Sequence, residues 1–158
     1  RDIVSSDFDV IVELNAAEVA QTSPMDRERL AFLVQESSYS KVAVVGEEVA
    51  AFLLCLDSRA KYPNDNFAWF KDRFSNFLYV DRIVVKATFA GRRIGSERYT
   101  DMFAFARQLG LKLVTCEYNI NPPNLASDVF HRQFGFKEVG THWVTAGTKQ
   151  VSLQTAEL

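Results

Sequence analysis

One segment constrains this chain more than any other. "FLYVDRIVV" at residues 77–85 reads as an apolar, β-branched strand. A loop follows, then a helical pattern over residues 96–109 with Tyr99, Met102, Phe103, Ala106 and Leu109 on one face. Gly110 ends that helix, and "LKLVTCEY" starts another strand at once. A strand, helix and strand so closely spaced form a right-handed crossover between parallel neighbours. The fold must therefore be α/β with helices packed on a sheet.

The flanks add antiparallel pairs. "KVAVVG", a turn at Glu47–Glu48 and "VAAFLLCL" read as a hairpin whose second strand, apolar on both faces, is central. "FKEVGTHWV" and "KQVSLQTAEL" read as a closing hairpin. Ahead of them come a helix over residues 8–20 and a second opening at Ser23, with Pro24 in its first turn and Asp26 completing a capping-box-like pattern. Asn124 caps a helix ending at Phe134, stopped by Gly135. Residues 57–76 read as a polar and aromatic connection. The expectation is a mixed α/β (α+β) sheet of about six to seven strands, the seventh being a further strand ahead of the first helix, flanked by about four helices and forming a single domain over residues 1–158.

Composition narrows the partners. A net charge of -2 gives no reason to expect nucleic acid or an anionic membrane surface. No run of about 18 apolar residues and no signal-peptide pattern is present. Cys55 and Cys116 lie in apolar runs and read as reduced, buried thiols of a cytoplasmic protein. With His131 and His142 they show no metal-ligand spacing, so no metal is expected.

The loop "FAGRRIGSERY" carries the chemistry. A strand delivers the chain to it, and a helix opens from it with its positive end pointing back. Free N–H groups from Gly91 through Ser96 make an anion site there, and Arg92 and Arg93 add full charge. Gly95 lets a ligand approach the backbone. The loop is neither a P-loop, lacking Gly-Lys-Ser/Thr, nor a dinucleotide GxGxxG.

This stretch resembles the pyrophosphate loop of the GNAT acetyltransferase superfamily, Arg/Gln-x-x-Gly-x-Gly/Ala. Ala90 stands at its first position, Arg93 at its first glycine and Gly95 at its last. A later segment, "NLASDVFHRQFGFKEVG", resembles the family's Asn-x-x-Ala/Ser, aromatic or His, Gly-Phe run through Asn124, Ser127, His131, Gly135 and Phe136. The resemblance implies a GNAT fold binding acetyl-CoA as cosubstrate and moving its acetyl group to a primary amine. It implies cofactor contacts at Ile83, Val84, Val85, Gly91, Arg92, Arg93, Ile94, Gly95, Ser96, Asn124 and Ser127. The Val85 N–H would polarise the thioester carbonyl. His131 falls where the family often has a tyrosine that protonates the leaving thiolate. Dimers are common in that family, so a homodimer is a further expectation. The alternative function is a non-catalytic sensor that binds acyl-CoA.

Amine acetylation also needs a base, because an alkylamine with a pKa near ~10 is protonated at neutral pH. Asp81 and Glu117 are acids set in apolar strands, where burial raises a carboxyl pKa. Strict alternation puts Asp81 on one face with Tyr79 and Ile83, and Glu117 on one face with Leu113 and Thr115. For each acid the competing role is an ion pair with a nearby base such as Arg82 or Lys112. Tyr62, Phe67, Trp69 and Phe70 are expected to wall the acceptor pocket or to cover the core.

Overall fold

The computed structural model describes residues 1–158. Helices α1 (Phe8–Ala17) and α2 (Arg27–Glu36) come first, then strands β1 (Tyr39–Val45) and β2 (Glu48–Asp57). Helix α3 (Asp65–Lys71), β3 (Phe77–Val85), α4 (Ile94–Gln108) and β4 (Leu113–Asn121) follow. Helix α5 (Leu125–Gln133), β5 (Lys137–Val144) and β6 (Lys149–Glu157) complete the order. The strands form one mixed sheet in the order β1-β2-β3-β4-β6-β5. β3 and β4 are parallel across the α4 crossover; every other pair is antiparallel.

Helices cover both faces. Ile11 and Leu14 of α1, Leu30 and Leu33 of α2, and Phe67 and Phe70 of α3 pack on one side with Phe52, Leu54 and Tyr79. On the other side Tyr99, Met102, Phe103 and Ala106 of α4 pack with Leu53, Leu78 and Val114, as their helical spacing requires. β2 is buried along nearly its whole length, the signature of a central strand. Cys55 and Cys116 are buried in the α4-side core, where burial pushes both thiols up. No helix is long and apolar enough to cross a membrane.

Two details depart from the sequence reading. α2 begins at Arg27 rather than at Pro24: Asp26 is its N-cap, with its side chain accepting from the Arg29 N–H at 2.8 Å. Ser23 is thereby released to serve the site. The connection over residues 57–76 contains α3, capped by Asn64 Oδ1 accepting from the Phe67 N–H at 3.0 Å. This makes five α-helices instead of four. α3 turns Phe67 and Phe70 into the core and stands Trp69 against Gly140, so of the four rings only Tyr62 reaches the polar cavity.

Candidate active site

The sheet forks. β3 and β4 pair only from Phe77↔Leu113 to Tyr79↔Thr115, and beyond that they separate. The Lys86 N–H donates to Ala50 O across β2, so alternation turns the N–H and C=O groups of Ile83 and Val85 toward the gap. That leaves main-chain donors and acceptors open to a ligand lying along β3.

A bulge governs the side chains at the fork. In the β2–β3 ladder Leu54 pairs with Arg82 and Cys55 with Val80, leaving Asp81 as the extra residue. The bulge shifts the alternation: Tyr79 and Val84 face the α1–α2 core, while Ile83 packs on the α4 side. Asp81 therefore does not share a face with Ile83, contrary to strict alternation. Asp81 and Arg82, though consecutive, line the same cavity.

Two depressions meet the fork. The first is a cleft of about 490 Å³ lined by Ile83, Val85, the loop before α4 and the start of α5. Gly91, Arg93, Ile94, Gly95, Ser96 and Ser127 all border it, and so does His131. The N–H groups of Arg93, Ile94, Gly95 and Ser96 make no backbone hydrogen bond, and no side chain caps α4. Four unpaired donors at the positive end of a 15-residue helix suit an anionic ligand. A Cβ on Gly95 would rest 3.5 Å from Phe130 and 3.6 Å from Val85, in ordinary contact with both. Arg93 occupies a left-handed conformation (φ 63°) that favours glycine, which is where the family motif carries one.

Three of the expected cofactor residues lie elsewhere. Val84 belongs to the opposite core. The Arg92 guanidinium sits 5.1 Å from the Phe89 ring centroid, off the cleft wall. Asn124 caps α5, its Oδ1 accepting from the Ser127 N–H at 3.1 Å while its Nδ2 donates to Gln21.

His131 is 5% exposed and has both ring nitrogens engaged. Nδ1 lies 2.7 Å from Ser127 O, which can only accept, so Nδ1 carries the proton. Burial pulls the imidazole pKa down, and the neutral Nε2 accepts from Tyr99 Oη at 2.9 Å. In this arrangement its one N–H is committed to the α5 backbone. The ring stacks on Tyr118 at 5.5 Å, and this stack separates the cleft from the second depression.

The second depression is a polar cavity of about 240 Å³ between the α1–α2 loop, the start of α3 and the fork. Asp81 and Glu117 both border it, in unlike states. The Asp81–Arg82 pair is almost wholly buried at 2.5 Å, and Tyr62 Oη donates to the other Asp81 oxygen. Arg82 continues to Asn15 Oδ1 at 2.9 Å and to Ser23 Oγ at 3.1 Å. Asp81 thus ties the bulge to α1 and the loop after it.

Glu117 is different. Tyr79 Oη donates to its Oε1 at 2.7 Å, and Asn66 Nδ2 donates to the same atom at 3.0 Å. Its Oε2 is shut from solvent and has no hydrogen-bond partner. Burial pushes the carboxyl up to about 7, against the two donors that pull it down. Sequence reasoning found Glu117 through its apolar strand, but missed Tyr79 and Asn66 as its partners. Nothing local marks either, since Tyr79 is 38 residues and Asn66 51 residues away along the chain.

A forked mixed sheet with a bare helix terminus at the fork is the framework of an acyltransferase. The sequence model of the acetyltransferase (GNAT) family matches residues 7–136, and the chain belongs to that family. Three solved structures share the fold. A ribosomal-protein-alanine N-acetyltransferase of Brucella melitensis superposes with TM-score 0.77 at 17% identity, over 100% of this chain and 98% of that one. Ard1 of Thermoplasma volcanium gives 0.79 at 14% identity, over 100% and 95%. The yncA acetyltransferase of Salmonella typhimurium, solved with its cofactor acetyl-CoA, gives 0.74 at 19% identity, over 100% and 92%. At such identities the likeness is one of fold alone. A comparison of the sequence with curated proteins finds no match.

Proposed function

We propose that the protein transfers an acetyl group from acetyl-CoA to a primary amine held in the polar cavity, with both substrates bound at once. The observation that carries this reading is the pair of depressions meeting at the fork, one with free main-chain N–H groups and one bordered by Glu117, a carboxyl with one oxygen left without a partner. Acetyl-CoA supplies the activated acetyl thioester. Gly91, Arg93, Ile94, Gly95 and Ser96 hold its phosphates, and Ile83 and Val85 offer main-chain groups to its pantetheine arm. The Val85 N–H, turned toward the gap, would be a donor for the thioester carbonyl.

Glu117 is the base. At pH 7 a carboxyl with a pKa of about 7 is half ionised and close to the driving force a base needs. Asp81, with both oxygens already taken, secures the bulge instead. His131 clamps α5 against Tyr99 and keeps the Tyr118 wall in place. The cavity of about 240 Å³ suits a small amine or the first residues of a peptide. The two buried free thiols suit a reducing, cytoplasmic setting.

The test has two stages. Acetyl-CoA at about 100 times its dissociation constant adds about 2.7 kcal/mol and raises the melting temperature by several degrees. No shift at millimolar concentration would remove the cofactor reading. Thiol release with a panel of primary amines then separates an enzyme from an acyl-CoA sensor, which binds without turnover.

A further inference from the structure

Two side chains from separate elements run in series to Glu117, and a third reaches it directly. His142 stands on β5, the edge strand, with its Nδ1 3.1 Å from Asn66 Oδ1. Asn66, near the start of α3 and 7% exposed, extends its Nδ2 to Glu117 Oε1 at 3.0 Å. Tyr79 Oη supplies a second donor to that same oxygen at 2.7 Å.

With Glu117 ionised, each link has only one sense. An amide oxygen accepts and never donates, so the contact at Asn66 Oδ1 requires the proton of His142 on Nδ1. With Oδ1 held there, the amide must present N–H to Glu117. The reversed amide would set Oδ1 against Glu117 Oε1, two acceptors face to face, and would favour the protonated acid. With the amide as found, Oε1 receives two donors and has no room for a proton of its own. The carboxyl can then gain a proton only at Oε2, the atom with no protein partner.

We propose that His142 is a positioning residue that, through Asn66, locks Glu117 Oε1 as an acceptor and leaves Oε2 as the atom at which the carboxyl takes up and gives back its proton. This rests on the reading of Glu117 as the base. Asn66 cannot pass a proton along, so His142 orients the base and does not relay to it.

The other charged and titratable groups facing the cavity do not replace this link. From β3, Asp81 is held by Tyr62 and Arg82. From β4, Tyr118 donates to Asp128 at 2.8 Å, and from β6, Lys149 donates to Ala20 O at 2.9 Å. Asp65, at the start of α3, borders the cavity without bonding to Glu117.

The experiment needs no acceptor. Ring-nitrogen NMR of the intact ¹⁵N-labelled protein at high pH reads the tautomer of His142. The Nδ1–H form is expected; the Nε2–H form overturns the proposal, and this result stands even if variants fail to fold. Carboxyl-carbon NMR then titrates Glu117, with Glu117→Gln giving the assignment. His142→Phe and Asn66→Leu are each expected to raise its midpoint by about half a unit to one unit, a three- to tenfold gain in proton affinity. A folded variant with an unmoved midpoint overturns the proposal. The base reading fails separately, if Glu117→Gln retains the acidic limb of the pH–rate profile for thiol release.

Discussion

Tyr79 and Glu117 meet where the two parallel strands part: the Tyr79 phenol donates to Glu117 Oε1 at 2.7 Å, two residues beyond Thr115, its register partner. The contact is a diagonal across the apex of the fork. It places a carboxyl at the apex of the fork, on the wall of the polar cavity.

Replacing Glu117 by Gln keeps an acceptor for Tyr79 and Asn66 and removes the ionisable oxygen. Rate should fall by at least about a hundredfold, the usual scale for a lost base. In the parent, activity should decline below a pH of about 7 as the carboxyl is protonated. Stability has the opposite sign. The folded pKa is raised, so the folded state binds the proton more tightly, and its contribution is lost as pH rises through about 7. Glu117→Gln should therefore stabilise the protein at pH 8 by an amount on the order of 3 kcal/mol, read as a higher melting temperature, and leave it nearly unchanged at pH 4. Equal effects at both pH values would show that the carboxyl is not perturbed.

Arg92 and Arg93 are neighbours with different surroundings, and their neutralisation should differ. Arg93 borders the cleft, whereas Arg92 lies over Phe89. Arg93→Gln should weaken acetyl-CoA binding by about tenfold, the scale of one lost charge-assisted contact, and Arg92→Gln by less. Arg93→Gly should raise the stability of the free protein by about 1 kcal/mol through its left-handed backbone, while still weakening the cofactor. Calorimetric titration and thermal melts of the three variants decide.

Asp81→Ala should be among the most damaging single changes away from the hydrophobic cores. It strands Arg82, whose side chain is 3% exposed, without its carboxylate. The loss should be about 3–5 kcal/mol, seen as a shift in the urea midpoint. Asp81→Leu should be no better, because the guanidinium stays buried.

Gly140 on β5 faces Trp69 of α3, where an added Cβ would lie 2.8 Å from Cζ2. The ring is pinned on its other side by Arg73, 3.9 Å from its centroid. Gly140→Ala should cost about 1–3 kcal/mol from overpacking. It should also disturb α3 and so Glu117, visible as a shifted Glu117 titration. An alanine variant as stable as the parent would mean that the ring yields freely.

Much of this was legible in the chain. Apolar alternation located the strands, the Tyr99–Met102–Phe103–Ala106 spacing located α4, and strand-helix-strand order required the parallel crossover. The strand, loop and helix order before α4 marked a bare helix terminus, since that is a local property. α3 escaped notice because its seven residues, asparagine-capped and aromatic, carry less than two full turns of periodicity. The bulge escaped because its extra residue shows only against a partner strand.

The sequence by itself determined the layers, the crossover and the bare helix terminus beside the cleft, because each arises from propensity and periodicity within a few residues. Tertiary structure alone decided which acid is free. The bulge brings Asp81 and Arg82 to one cavity and uses them on each other, with Tyr62 and Ser23 completing the cluster. Glu117 is left with one idle oxygen because Tyr79, 38 positions away, and Asn66, 51 positions away, both bind its Oε1, while His142, 76 positions from Asn66, holds the amide. Those contacts are set by strand register and by the packing of α3 on the sheet, and no local pattern encodes either.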